Sequence, residues 1–173
     1  HVVVCGLGEK GFQVVRDQRA RGRRVVAIEV DSGNEDIALC EDLGAWSVTG
    51  DARDAETLHA AGVERASMLM AVTGDDGTNM DIAVKALALA GDRRPDEGFR
   101  CCAHVYDNQF AGDALKDYAI TGAQGRFRAE FPNAFESAAR HVLAEHPLDR
   151  DLWREDDPRR VHLVIAGFGW LGR

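Results

Sequence analysis

Val2-Val3-Val4-Cys5-Gly6-Leu7-Gly8-Glu9-Lys10-Gly11 joins an apolar run directly to a G-x-G-x-x-G turn, and helical patterning begins near Phe12. Gly6 allows a sharp turn off the strand, Gly8 lets a pyrophosphate approach the backbone, and Gly11 lets helix and strand pack closely. The unpaired N–H groups at the start of the helix would face the phosphates. The stretch therefore predicts a strand, a tight turn and a helix N-terminus arranged to bind a nucleotide.

An acidic residue follows at the spacing that such a site requires. A second apolar run, Val25-Val26-Ala27-Ile28, ends in Glu29, at an offset of about twenty residues from the turn. In dinucleotide-binding folds the carboxylate at this place binds the ribose hydroxyls. The alternative is a glycine-rich connection in an α/β protein that binds nothing. The matching strand, helix and acid favour the nucleotide site.

Composition limits the size of the protein and the classes of partner. A chain of 173 residues is long enough for one core of ordinary size and too short for two full α/β domains. No apolar run is long enough to cross a bilayer. The net charge of -8 argues against nucleic-acid binding, which needs an excess of Lys and Arg. The four cysteines lack the spacing of a zinc site or a disulfide framework, so we expect reduced, buried thiols at Cys5, Cys40, Cys101 and Cys102.

Strand and helix patterns alternate along most of the chain. The predicted strands are Val2–Cys5, Val25–Val30, Trp46–Thr49, Ala66–Val72, Cys101–Val105 and a weaker Phe127–Phe131. The predicted helices are Phe12–Ala20, Asn34–Leu43, Asp54–Ala61, one ending at Gly91, Phe110–Tyr118 and Ala134–Leu143. Repeated alternation with short connections predicts an α/β fold, a Rossmann-like doubly wound parallel sheet in three α/β/α layers.

A second fingerprint stands near the end of the sequence. Val161–Ala166 leads into Gly167-Phe168-Gly169-Trp170-Leu171-Gly172, and Gly6 and Gly167 are 161 residues apart. We therefore predict a nucleotide-binding domain over 1–148, a linker over 149–160, and the truncated start of a second Rossmann-like domain over 161–173. The start at His1, inside the first predicted strand region, indicates a fragment of a longer protein.

Four motifs in register resemble the RCK or TrkA-N family, the cytoplasmic nucleotide-binding regulatory modules of potassium channels and transporters. They are G-L-G-x-x-G at Gly6–Gly11, the acid Glu29, Gly50-Asp51-Ala52 after the third strand, and Thr73-x-Asp75-Asp76-x-x-Asn79 after the fourth. The resemblance covers most of Val2–Val105. The second fingerprint also resembles the tandem arrangement of some members.

The resemblance implies a bound NAD(H) or, as in some members, ADP or ATP. Gly6, Gly8 and Gly11 would face the phosphates, and Glu29 would accept hydrogen bonds from the adenosine ribose. A carboxylate at Glu29 repels a ribose 2′-phosphate, so NADP is disfavoured.

The remaining implied contacts lie after the first, third and fourth strands. Asp51 and Ala52 would lie beside the adenine, and Thr73 would sit over the crevice. Glu9 departs from the pattern by placing a negative charge near the phosphates, which Lys10 can offset. The full set of expected cofactor-binding residues is Gly6, Leu7, Gly8, Glu9, Lys10, Gly11, Glu29, Val30, Asp51, Ala52, Thr73, Gly74, Asp76 and Asn79.

The resemblance also implies partners and a location. These are a homodimer or higher homo-oligomer, and a membrane channel or transporter subunit or domain of the parent protein, with the module in the cytoplasm or at the cytoplasmic face of the membrane. The helix over 134–143 stands where such modules exchange a crossover helix in dimers. Packing within its own domain is the equal alternative.

Catalytic groups do not form a recognisable pair in this sequence. His59, His104, Asp107 and the four cysteines are the candidates for proton transfer or nucleophilic attack, and His104 is expected to pack inside a strand. His141 and His146 are five residues apart and do not share a helix face, so no metal site is predicted. With no substrate domain in the chain, the sequence favours regulatory ligand binding. The alternatives are an NAD-dependent oxidoreductase fragment and a Rossmann-like assembly domain that binds no nucleotide.

Overall fold

The computed structural model describes residues 1–90, 98–106 and 127–130, together with 141, 144 and 145. The chain divides into two units, His1–Phe131 and Pro132–Arg173. The predicted helix over 110–118, the linker over 149–160 and the second fingerprint lie outside the described residues. The predicted domain boundaries stay predictions.

Strands and helices alternate as the sequence predicts. The elements are β1 (Val2–Cys5), α1 (Glu9–Ala20), β2 (Val25–Glu29), α2 (Asp36–Asp42), β3 (Trp46–Thr49), α3 (Ala55–Ala60), β4 (Met68–Ala71), α4 (Asp76–Leu89), β5 (Phe99–Ala103) and β6 (Phe127–Glu130), with a short 3-10 helix at Val63–Arg65. Within the part of the chain described, no helix is both long and apolar enough to span a membrane.

The strands form one parallel sheet in the order β3-β2-β1-β4-β5-β6. The order runs in one direction from β1 to β3 and in the other from β4 to β6, so it reverses between β1 and β4. In an open parallel sheet the crevice at this reversal, outside the carboxyl ends of the strands, is the usual ligand site. The predicted doubly wound parallel sheet is confirmed.

Helices cover both faces of the sheet. Side chains alternate between the faces of a strand, so Val3 packs with Leu58 of α3 and Ile82 of α4, whereas Val4 packs with Val15 of α1 and with residues of α2. All residues of β1 and β2 are buried, which explains why both strands are near-continuous apolar runs. The three-layer arrangement is thus confirmed.

The fifth strand differs from its predicted bounds. β5 covers Phe99–Ala103 rather than 101–105, because its register is set by pairing with β4. His104 follows the strand: its N–H donates to the carbonyl of Ala71, and its own carbonyl accepts from the Asn79 amide. The Asn79 side chain therefore satisfies the His104 carbonyl, which in a longer strand would accept from a backbone N–H of the neighbouring strand.

Candidate functional site

A cleft of about 400 Å³ lies at the carboxyl ends of the strands around the β1–β4 reversal. Clefts of this size at this place in an α/β sheet are typical ligand sites. Its lining residues are Gly6, Gly8, Ile28, Glu29, Val30, Gly50, Asp51, Ala52, Arg53, Thr73, Gly74, Asp75, Thr78 and Ile82. Eight of the expected residues are among them: Gly6, Gly8, Glu29, Val30, Asp51, Ala52, Thr73 and Gly74.

The three glycines of the turn have different surroundings. Gly6 has a φ of +91°, and a Cβ there would lie 3.1 Å from Thr73 Cγ2. A Cβ on Gly11 would lie only 1.8 Å from the carbonyl oxygen of Gly6, so this position admits no side chain. A Cβ on Gly8 would meet nothing within 4 Å. Gly6 and Gly11 shape the turn, and Gly8 faces open space in the cleft.

The N-terminus of α1 is left without a side-chain cap. Gly8 is the N-cap residue, and the first α-helical hydrogen bond runs from the Phe12 N–H to the Gly8 carbonyl. The N–H groups of the first turn therefore have no acceptor within the helix, and the positive end of the helix dipole lies at this point. The arrangement favours an anion beside Gly8.

Glu29 joins the end of β2 to the glycine turn. Its Oε2 accepts from the Leu7 N–H at 2.7 Å and its Oε1 from the Asp31 N–H at 2.9 Å. The residue is 8% exposed and lines the cleft. A carboxylate oxygen accepts two hydrogen bonds, so each oxygen keeps one position for a donor from a ligand. The exposed Val30 adds an apolar wall beside it.

Arg53 and Asp51 form an ion pair at the opposite rim. Arg53 Nη2 lies 2.6 Å from Asp51 Oδ2, and the Arg53 N–H donates to Asp51 Oδ1 at 2.8 Å. Hydrogen bonding from Arg53 lowers the pKa of Asp51 to about 2. Arg53 is the one Lys or Arg among the described residues that line the cleft. The sequence reasoning missed it, although it directly follows the Gly50-Asp51-Ala52 motif.

Asn79 ties together the loops after β4 and β5. It is fully buried; its Oδ1 accepts from the N–H and hydroxyl of Thr73, and its Nδ2 donates to the carbonyls of Thr73 and His104. At the start of the same helix, Asp75 Oδ1 accepts from the Thr78 N–H at 2.7 Å. Hydrogen bonding from Thr78 lowers the pKa of Asp75. These side chains hold Thr73 and Gly74 at the cleft.

Six expected residues lie outside the cleft lining: Leu7, Glu9, Lys10, Gly11, Asp76 and Asn79. Leu7 is buried in the core, and both Asp76 carboxylate oxygens accept from the Tyr106 N–H, at 3.0 and 2.9 Å. The Lys10 ammonium contacts His104 and Tyr106. Ligand contact by any of the fourteen residues stays a prediction.

The additional lining residues have recognisable reasons to be there. Gly50 follows β3 with a φ of +157°, and a Cβ there would lie 2.8 Å from Thr57 Oγ1, so the position favours glycine. Ile28 and Ile82 supply apolar surface. Gly50 and Asp75 belong to the motifs quoted above, so the sequence signal was present. Thr78 carries no such signal, because its place depends on the cap that Asp75 makes.

The residues considered for catalysis lie elsewhere. His59 pairs with Glu64 on the surface, His104 is buried, and neither lines the cleft. Asp107 lies outside the described residues. Among the residues described, no three His, Cys, Asp or Glu side chains are grouped so as to hold a metal ion.

Known proteins resemble parts of this chain. A segment of 80 residues is 38% identical to the Trk system potassium uptake protein TrkA of Azorhizobium caulinodans. A match over 79 residues is 33% identical to the Trk system potassium uptake protein TrkA homolog of Archaeoglobus fulgidus. Each match covers 46% of this chain and 17% of the relative, so the chain spans a minor part of the length of these proteins.

Solved structures share the fold at low sequence identity. The TrkA-N domain of the Escherichia coli inner membrane protein YbaL gives a TM-score of 0.61 at 20% identity, over 84% of this chain and 96% of that domain. The NAD(P)-binding domain of an exopolyphosphatase-related protein from Archaeoglobus fulgidus gives 0.62 at 19%, over 83% and 95%. The GsuK channel bound to NAD gives a TM-score of 0.59 at 18% identity, over 82% of this chain and 23% of the channel chain. GsuK bound to ADP gives the same TM-score.

The family itself is shown by the sequence. The profile of the TrkA-N domain matches residues 2–115, which contain the glycine turn, Glu29 and the motifs after β3 and β4. This chain belongs to the TrkA-N domain family.

Proposed function

We propose that this domain binds an adenine nucleotide, NAD(H) or ADP/ATP, in the cleft and thereby regulates potassium transport or gating by a membrane channel or transporter. The observation that carries the proposal is the pairing of the uncapped α1 N-terminus at Gly8 with the Glu29 carboxylate at the end of β2. The first suits phosphates and the second suits ribose hydroxyls.

The comparisons support the same ligand class and the same partner class. GsuK, a channel, has been solved with NAD and with ADP, and the sequence relatives are potassium uptake proteins. We propose that this domain acts likewise on the cytoplasmic side of a membrane protein, as a homodimer or larger homo-oligomer. A ligand can drive such an assembly only by its difference in affinity between two arrangements.

Regulation is proposed here rather than hydride transfer. Besides backbone and apolar groups, the described cleft is lined by the Asp51–Arg53 ion pair, two threonines and two further carboxylates. Both of these carboxylates already accept backbone N–H groups: Glu29 those of Leu7 and Asp31, and Asp75 that of Thr78. None of the histidines considered above reaches it within the described residues. A general acid or base must lie within hydrogen-bond reach of the reacting group.

Calorimetric titration with NAD, NADH, NADP, ADP and ATP tests the proposal. We expect binding of NAD(H) and ADP/ATP and about tenfold weaker binding of NADP, because Glu29 repels the 2′-phosphate. Glu29→Gln should reduce that difference while keeping an acceptor for the Leu7 N–H. Glu41→Gln, at an exposed glutamate on α2, is the matched control.

Two results would contradict the proposal. Absence of binding by every nucleotide would favour an assembly domain without a ligand. Steady oxidation or reduction of the nicotinamide in the presence of a small substrate would favour an oxidoreductase instead.

A further inference from the structure

Lys10, His104 and Tyr106 form a polar cluster beside the cleft, here named the Lys10 cluster. Lys10 Nζ lies 2.7 Å from His104 Nε2, contacts the Tyr106 hydroxyl, and stands 4.1 Å from the centroid of the Tyr106 ring. The two rings are 4.5 Å apart. An ammonium only donates, so Nε2 of His104 is the acceptor, and the cation also faces the π-surface of Tyr106.

The Lys10 cluster spans the crevice from α1 to the end of β5. Lys10 is the second residue of α1, which follows β1, whereas His104 and Tyr106 follow β5. β4 lies between β1 and β5 in the sheet. Two strand spacings amount to about 10 Å, so the lysine side chain bridges the region above the carboxyl end of β4 on the α1 side.

A doubly wound sheet has two nucleotide-binding halves, and a dinucleotide lies across both. Here β1 to β3 form the first half, and β4 to β6 form the second. The cleft is lined from the glycine turn, from the ends of β2 and β3, from the loop after β4 and from the start of α4; none of its lining comes from residues 98–106. The open part therefore covers the first half and reaches into the second half only as far as the loop after β4 and α4, whereas the Lys10 cluster joins α1 to the segment after β5.

We propose that Lys10 is a specificity-determining residue that selects adenine mononucleotides over dinucleotides. The inference rests on the proposed function and ranks ADP and AMP above the NAD(H) expected from the sequence. A mononucleotide places its phosphates at Gly8 and leaves the Lys10 cluster intact. The second nucleotide half of a dinucleotide must displace the Lys10 ammonium from Tyr106 and from His104, which is only 6% exposed.

Calorimetry with AMP, ADP and NAD tests this in wild type and Lys10→Ala. We expect wild type to bind ADP more tightly than NAD, and Lys10→Ala to shift the ratio of the two dissociation constants about tenfold towards NAD, equivalent to ~1.4 kcal/mol. Tyr106→Phe, which keeps the ring but removes the hydroxyl, should shift the ratio less in the same direction. Arg16→Ala removes the same charge from an exposed position of α1 and should leave the ratio unchanged.

A ratio is the appropriate readout, because it cancels a general loss of affinity. ADP carries more negative charge than AMP, so loss of the lysine charge alone would weaken ADP most; the proposal therefore requires the ratio of AMP to NAD to shift together with the ratio of ADP to NAD. NMR supplies a second measurement: saturating NAD should shift the Tyr106 ring resonances in wild type, and saturating ADP should not. Tighter binding of NAD than of ADP by wild type, or a Lys10→Ala variant that loses NAD at least as much as ADP, would overturn the inference alone. Loss of binding by all three nucleotides in wild type would instead overturn the proposed function.

Discussion

The N-termini of α1 and α4 lie at the same edge of the sheet, after adjacent parallel strands, yet their surroundings are opposite. α1 starts at Gly8 with no side-chain cap, and the space where a Cβ would stand is empty. α4 starts at Asp75, whose carboxylate accepts the Thr78 N–H. Two copies of the same strand-turn-helix unit thus serve different purposes: one leaves its positive end available to an anion, and the other is closed by its own acid.

The closed N-terminus also organises its neighbours. Asp76 holds the backbone of Tyr106, and Asn79 holds Thr73 and His104. The N-terminus of α4 carries two carboxylates, Asp75 and Asp76, whereas that of α1 carries Glu9 alone, next to Lys10, so an anionic ligand is favoured at α1 over α4. The same sheet edge thus carries both the proposed binding surface and the side chains that position it.

Gly11→Ala should have the largest effect, because it disrupts the close backbone packing between Gly6 and Gly11 at the uncapped N-terminus of α1. Its Cβ would lie 1.8 Å from the Gly6 carbonyl oxygen, so we expect the free energy of unfolding to fall by about 3 kcal/mol. Urea denaturation of wild type and variant measures this change in the free energy of unfolding. Gly8→Ala is the matched control, and equal stability of the two variants would refute the close packing.

Asn79→Ala should come next, because it removes the support of the closed N-terminus. Thr73 and His104 would lose their buried partners, with an expected loss of about 3 kcal/mol at most. Gln13→Ala, at an exposed position of α1, provides the reference in the same denaturation experiment. If Asn79→Ala matched Gln13→Ala, the bridging role of Asn79 would be excluded.

Gly8→Ala separates binding from folding. Gly8 has a φ of -68° and no neighbour near its missing Cβ, so the variant should keep its stability. Its methyl group would stand where the phosphates are expected, and we expect ADP affinity to fall about tenfold. Unchanged ADP affinity by calorimetry would place the phosphates elsewhere.

Asp75→Ala removes the N-cap of α4, so that its N-terminus lacks a side-chain cap as that of α1 does. The pKa of Asp75 is lowered from its ordinary value of 3.8 by hydrogen bonding from Thr78, so its stabilisation is present at neutral pH and is lost as the pH falls through the lowered pKa. We expect a lower melting temperature at pH 7 and a smaller difference from wild type near pH 3. Asp17→Ala, at an exposed mid-helix aspartate, should show neither effect.

Glu9→Gln should have the smallest effect and opposite signs in two assays. Glu9 is exposed in the first turn of α1, where a carboxylate stabilises the helix by about 0.5 kcal/mol but repels a nearby anion. The variant should be slightly less stable and bind ADP a few-fold more tightly, roughly by the same free energy. Weaker ADP binding would show that Glu9 assists the ligand instead of opposing it.

The sequence predicted those features that depend on local pattern. The glycine turn, Glu29 and the alternation of buried strands and amphipathic helices are each carried by neighbouring residues. The contact of Lys10 with His104 and Tyr106 joins residues 94 and 96 positions apart. Such a contact follows only from the strand order, which no local pattern encodes.

The bounds of β5 and the role of Arg53 show the same limit. Pairing with β4 sets where β5 starts, with Arg100 opposite Met68, and apolar patterning alone does not fix that register. Arg53 takes its place through the ion pair with Asp51. Asp51, its partner two residues away, was expected at the site. That the arginine of this local pair also lines the cleft depends on where the end of β3 lies in the sheet, which the motif does not encode.

The four buried thiols give this domain built-in reporters of its own opening. Burial raises the pKa of Cys5 and Cys101, the latter to about 12, and both belong to the core between the sheet and α3–α4. Cys40 belongs to the core beneath α1 and α2, and burial raises its pKa to about 11. Alkylating reagents would therefore react with these thiols only when the helices that cover them unfold locally. The labelling rate of Cys40 then reports local unfolding on the α1–α2 face of the sheet, and that of Cys101 reports it on the α3–α4 face.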